Sequence, residues 1–288
     1  MKVQPRKLVV DARIVPSLPI IFAQINKVIN DPVSTTTTIA DVVSNDTGLS
    51  ARLLRMANSA FFSFPSRVDT ISEAAIVIGF EQIRDLALAT TVIEVFRGVP
   101  KRLVDMKSFW HHSVACGIAA RVVAIDRREA NVERHFVAGL LHDIGRLIMF
   151  LKTPDEAAVA LRRSKTRGEL LYQAEREVFG FDHGEVGGEL LRHWKLPVTL
   201  IEPVAFHHRP LEARQAPVEA AIVHLADIIA NAMQLGSSGE RWVPPLVSEA
   251  WDRLGLTTSV LEPTLREVER QFDDTIEIFL EPVSRIVE

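Results

Sequence analysis

The stretch Phe136-Val137-Ala138-Gly139-Leu140-Leu141-His142-Asp143-Ile144-Gly145-Arg146-Leu147-Ile148-Met149-Phe150 constrains this chain more than any other. Val137, Leu140, Leu141, Ile144, Leu147 and Ile148 fall at the i, i+3, i+4, i+7 spacing of a helix face buried in a core. His142 and Asp143 sit side by side within it. A carboxylate is rarely buried among apolar groups unless it is paired or holds a cation. The neighbouring imidazole adds a nitrogen donor. Alone, the pair also fits a helix whose Asp caps nearby backbone, so the rest of the chain has to be read with it.

Helical spacing recurs almost throughout and strand alternation is nearly absent, so an all-α fold is expected. Helices are expected from Pro19 to Ile29 and from Leu49 to Ala57. Further ones run from Gln82 to Phe96, Phe109 to Ala124 and Pro154 to Arg167. Another lies between Glu169 and Phe179, one runs from Asp182 to Trp194, and one from Pro217 to about Leu235. Thr38-Ile39-Ala40-Asp41 and Thr70-Ile71-Ser72-Glu73 read as capping boxes, as does Asp182-His183-Gly184-Glu185. Pro197 is placed to open a helix. Phe61-Phe62-Ser63-Phe64-Pro65 reads as an aromatic turn. A seam is expected at Gly98-Val99-Pro100 and a flexible joint at Gly236-Ser237-Ser238-Gly239. The expected organisation is an N-terminal helical lobe (1–105), a second helical lobe (106–235) and a C-terminal helical extension (236–288).

The 288 residues are 47% hydrophobic, enough for a real core, and carry 33 basic against 37 acidic side chains for a net charge of −4. That balance argues against a general nucleic-acid binder. Arg52, Arg55 and Arg67 are read as an ordinary solvated face. No apolar run approaches a membrane span and no signal-peptide core follows the N-terminus. The single Cys116 excludes an internal disulfide and fits a reducing compartment. A soluble cytoplasmic protein is expected.

Other polar residues interrupt apolar faces as His142-Asp143 does. His112 shares a face with Cys116, Ala119 and Ala120. His183 stands at a first helical turn. His208 lies with Ile201, Val204 and Ala205, beside His207. Asp227 breaks the run Ile222, Leu225, Ala226, Ile229. Each singly fits a satisfied core residue, but together they fit one shared site better, held by one or two cations. His135, His193 and His224 are read as surface or supporting residues; His111 fits either role.

The order of these residues resembles the HD superfamily of metal-dependent phosphohydrolases: a first His, an adjacent His-Asp, further His residues and a distal Asp. The resemblance implies one divalent ion on His112, His142, Asp143 and Asp227. It implies a second on His183, His207 and His208, with Asp143 bridging. Such mixed donors suit Fe, Mn, Zn, Ni or Co. Leu18-Pro19, Asp31-Pro32, Ile39-Ala40-Asp41, the block from Leu49 to Ala60 ending in Ala57-Asn58-Ser59-Ala60, and Ala75-Ile76-Val77-Ile78-Gly79 resemble the HDOD family over about residues 13 to 230. That family implies a bacterial signal-transduction module with a protein partner and no established catalysis. The chain lacks the Gly-Tyr-Pro segment of the cyclic di-GMP phosphodiesterase branch, since Arg209-Pro210-Leu211 follows His207-His208. It has Arg146 where that branch usually has Lys. The alternative implied is a phosphohydrolase on phosphodiesters or nucleotides, with Arg146 or Arg209 meeting phosphate. A third reading is a metal-free, hydrogen-bonded polar core.

Overall fold

The computed structural model describes residues 4–10, 17–62, 64–96 and 103–280. All regular structure among the described residues is helical. The helices are α1 (Pro5–Val10), α2 (Ile20–Ile29), α3 (Thr36–Ser44), α4 (Thr47–Ala57), α5 (Ile71–Ile78) and α6 (Phe80–Val95). There follow α7 (Met106–Asp126), α8 (Val132–Leu141), α9 (Ile144–Lys152), α10 (Pro154–Arg167) and α11 (Leu171–Phe179). The chain continues through α12 (His183–His193), α13 (Val198–Phe206), α14 (Pro217–Ala232), α15 (Ser248–Leu254) and α16 (Leu261–Leu280). The all-α expectation holds. The seam at Gly98-Val99-Pro100 lies outside the described residues.

Contacts gather the chain into two compact units, residues 18–95 with 269–288, and residues 1–17 with 96–268. In the unit that carries His142-Asp143, α1 lies on α9 and α12, and α15 lies on α14, so segments from well before and after the central stretch help build it.

In the smaller unit, sequence signals set the helix starts. Thr70 and Glu73 form the expected capping box: the Thr70 hydroxyl accepts from Glu73 N at 3.1 Å, and the Glu73 carboxylate accepts from Thr70 N at 3.2 Å. The box expected at Thr38–Asp41 instead spans Thr35–Thr38, because Thr35 is the extended residue whose hydroxyl meets Thr38 N. Phe61, Phe62 and Phe64 form the aromatic turn, with ring centroids 5.1 and 5.4 Å apart. Arg52 corrects the solvated-face reading: it is buried and paired with Glu94 at 2.5 Å. Arg55 pairs with Glu277 and Arg67 with Asp69, both at 2.8 Å.

In the larger unit α7 is the core helix, buried from His112 through Ala124. A helix apolar on every side has to be surrounded, and α8 and α14 pack along it. The central stretch is not one helix. α8 ends at Leu141, His142 closes it, and Asp143 (φ −96°, ψ 5°) precedes α9. Asp143 makes no capping bond from its side chain, because its carboxylate is turned toward the histidines. The 236–239 segment is likewise no flexible joint. Ser237 N donates to Ser108 O at 3.0 Å and to Ser108 Oγ at 2.9 Å. Gly236 (φ 84°) lies so close to α7 that a Cβ would stand 2.3 Å from Ser108 O.

Candidate metal centre

Five elements converge on one buried point. α7 supplies His112, the α8–α9 break supplies His142 and Asp143, and the first residue of α12 is His183. The turn after α13 supplies His207 and His208, and α14 supplies Asp227. All are buried except the half-buried His208. The seven residues singled out in the sequence are therefore brought together.

On one side, His112 Nε2 lies 3.3 Å from His142 Nε2 and 3.3 Å from Asp227 Oδ1. His142 Nε2 lies 3.2 Å from Asp143 Oδ2 and 3.4 Å from Asp227 Oδ1. On the other, His183 Nε2 is 3.1 Å from His207 Nε2 and 3.2 Å from His208 Nε2. Asp143 spans the two sides: its Oδ1 stands 2.8 Å from His183 Nε2 and 4.0 Å from His207 Nε2.

The outer ring atoms decide what the inner ones offer. His142 Nδ1 lies 2.7 Å from Gly139 O, and His207 Nδ1 lies 2.8 Å from Val204 O. A carbonyl only accepts, so each Nδ1 carries a proton and each ring turns its Nε2 inward, the atom that would ligate a cation in place of a second proton. Glu175 does the same for His183, with Oε2 2.6 Å from Nδ1. Lone pairs facing one another at this spacing repel unless a proton or a cation lies between them. Three triads have donor atoms mutually within 4.8 Å: His183–His207–His208, His112–His142–Asp227 and His142–Asp143–His207. Asp143 Oδ1 is buried without a hydrogen bond of good geometry. Imidazole and carboxylate donors arranged this way fit divalent transition-metal ions.

The electrostatics are those of a site that holds positive charge. Burial alone would raise the Asp143 and Asp227 pKa values. The nearby Arg146, His142 and His183 instead hold Asp143 well below the usual carboxylate range, and His112 and His142 do so for Asp227. Burial and the Arg146 charge act to lower His183, but Glu175 and Asp143 outweigh them and hold it at about 9. Burial, then the charges of His142 and His183, keep His207 well below its ordinary value.

The two arginines considered for phosphate contact are committed elsewhere. Arg146 is fully buried, with Nη1 3.1 Å from Asp143 Oδ2, Nε 3.4 Å from Glu175 Oε1, and Nη1 against the Ser238 hydroxyl. Arg209 pairs with Glu212 at 2.8 Å, Glu185 at 3.2 Å and Asp182 at 3.4 Å. His135 is buried with its Nδ1 on Asn131 O, and His193 is exposed. His224 supports the centre: its Nδ1 donates to His207 O at 2.7 Å and its Nε2 accepts from Val247 N at 3.0 Å.

Four residues of the site were not singled out in the sequence. Glu175 orients His183, Ser238 contacts Arg146, and Asn231 Nδ2 donates to Asp227 Oδ1 at 2.7 Å. Tyr172 stacks on His208 at 4.2 Å. Glu175 had a signal, since it shares the inward face of α11 with Leu171 and Phe179 as Asp227 shares its own. Ser238 had none, because it comes from a loop.

Fold and centre together define an all-helical protein with a His/Asp site of metal-binding type. The HDOD domain family model matches residues 15–210, and the chain belongs to that family. An HDOD domain protein of unknown function from Geobacter sulfurreducens is 25% identical. It superposes with a TM-score of 0.75 over 92% of this chain and 94% of its own. A protein provisionally named a phosphohydrolase, from Shewanella amazonensis SB2B, is 27% identical, with a TM-score of 0.74 over 96% of this chain and 98% of its own. An uncharacterized protein of Treponema pallidum (strain Nichols) is 25% identical over 195 residues, 67% of this chain and 37% of that protein. The chain thus spans little more than a third of that relative's length. No helix among the described residues is long and apolar enough to cross a membrane.

Proposed function

We propose that this chain is a cytoplasmic signalling module whose His/Asp centre holds two divalent transition-metal ions and acts through a protein partner rather than by turnover. One ion sits on His112, His142, Asp143 and Asp227. The other sits on His183, His207 and His208, with Asp143 shared. The observation that carries the metal assignment is the set of inward-facing Nε2 atoms, fixed by Nδ1 contacts to Gly139 O, Val204 O and Glu175. HDOD membership supports the signalling role. The commitment of Arg146 and Arg209 to carboxylates supports a binding centre, because neither guanidinium is left to neutralise a phosphoryl group.

A second reading, a metal-dependent phosphohydrolase, is favoured by the complete donor set and by the name given to the Shewanella amazonensis relative. In it the ions would activate water and clamp phosphoryl oxygens, and Asp143 would hold both in place. Elemental analysis of the purified chain beside Asp143→Asn tests the shared premise. About two equivalents of a transition metal, lost in the variant, are expected; a metal content unchanged by the substitution refutes it. Assay of the loaded protein on bis(p-nitrophenyl) phosphate then separates the readings. Turnover that disappears in Asp143→Asn would overturn the non-catalytic one.

A further inference from the structure

A cavity of about 600 Å³ opens between the residues leading into α7, the last turns of α10 and the loop through Ser237 and Arg241. The same loop carries Ser238, the residue held against Arg146. Five charged side chains line the cavity: Arg162, Lys165, Arg241, Asp105 and Glu240. Both carboxylates are occupied by backbone amides. Asp105 Oδ2 accepts from Ser108 N at 3.1 Å. The buried Glu240 accepts from Leu171 N and Arg241 N, both at 2.7 Å.

The three cations have no such use. Arg162, Lys165 and Arg241 are exposed and make no ion pair or side-chain hydrogen bond among the described residues. The contrast is local: Arg163, one residue from Arg162, pairs with Glu169 at 2.5 Å and Glu177 at 3.5 Å. Lys165 also complements the negative end of α10. Arg162, a turn earlier, and Arg241, on another element, have no dipole to answer. Three unpaired cations from two elements around one concavity make an anion site. The volume lies within the range of about 300 to 1,000 Å³ that holds small organic ligands.

We propose that this cavity binds a phosphorylated small molecule of nucleotide size, with its phosphates between Arg162, Lys165 and Arg241. The site is separate from the metal assignment and does not rest on it. The test is titration of the full purified chain with ATP at low salt, without added divalent metal, followed by calorimetry and by tryptophan fluorescence, since the exposed Trp242 adjoins Arg241. Adenosine is the uncharged control. Saturable ATP binding that weakens with salt, with no binding of adenosine, is expected. The double variant Arg162→Ala/Arg241→Ala should weaken it at least about tenfold. Arg167→Ala, on the same helix end but outside the cavity, should leave it unchanged. Both cavity arginines are exposed, so an unchanged melting temperature will show that the variant folds. No saturable binding of ATP, equal binding of adenosine, or full ATP affinity in the double variant would overturn the proposal.

Discussion

Gly145→Ala tests how tightly the centre depends on helix packing. Gly145 is the second residue of α9, where α9 crosses α12. A Cβ there would lie 2.0 Å from His183 O and 2.6 Å from Gly187 N. Both are backbone atoms, so no rotamer change relieves them. Restoring ordinary contact at 3.4 Å requires α9 and α12 to part by about 1.4 Å at this point. Asp143 precedes α9 and His183 begins α12, so their 2.8 Å approach would stretch to about 4 Å. Overpacking of a tight core contact costs about 1–3 kcal/mol, and with backbone on both sides about 3 kcal/mol is expected. The assay is urea unfolding followed by far-ultraviolet circular dichroism, with metal content measured on the same samples. Gly145→Ala should lower the midpoint and lose metal first from the His183 side. Gly48→Ala is the control. Its Cβ would meet only Asp46 Oδ1 at 3.4 Å, and a helical Gly→Ala change should be neutral or stabilise by about 0.5–1 kcal/mol. A Gly145→Ala protein within about 0.5 kcal/mol of the parent, with its metal retained, would refute the close-packing argument.

Three further outcomes are expected. Glu175→Gln keeps the shape but weakens the anchor on His183 Nδ1, and should reduce metal affinity about 10- to 100-fold in competition with a chelating dye; unchanged affinity would show that Glu175 is only packing. In the metal-free protein, His183 has a pKa raised from 6.5 to about 9, so its stabilising charge is complete below about pH 6.5 and is lost as pH rises through 9. Asp143, Asp227 and the neutral His207 have lowered pKa values and act the other way, losing stability as pH falls. Melting temperature with chelator should therefore peak near pH 6.5 and fall toward pH 9, while metal affinity rises over the same range; a flat melting profile from pH 6.5 to 9 would contradict this. Thr70→Ala removes one half of a capping box and should cost about 1 kcal/mol in thermal unfolding, with no change in metal content.

The sequence by itself determined the helical class, because apolar spacing is local and each helix has to bury its own face. It also marked all seven candidate donors, since a histidine or carboxylate interrupting an apolar face stands out without any knowledge of its neighbours. Glu175 carried the same signal more faintly, on a helix whose other faces are charged. What only the tertiary structure decided is what depends on approach between distant segments. The break at His142–Asp143 exists because Asp143 turns to His183, 40 residues on, instead of capping α9. The anchoring of residues 236–239 depends on Ser108, far upstream, so glycine and serine that read as a flexible joint become a fixed strap. Arg146 looked available for phosphate until Glu175 and Ser238 were found around it. The two units join the beginning of the chain to its middle and its end to its first third, which no local pattern encodes. Periodicity reports which face of a helix is buried, and only packing reports what it is buried against.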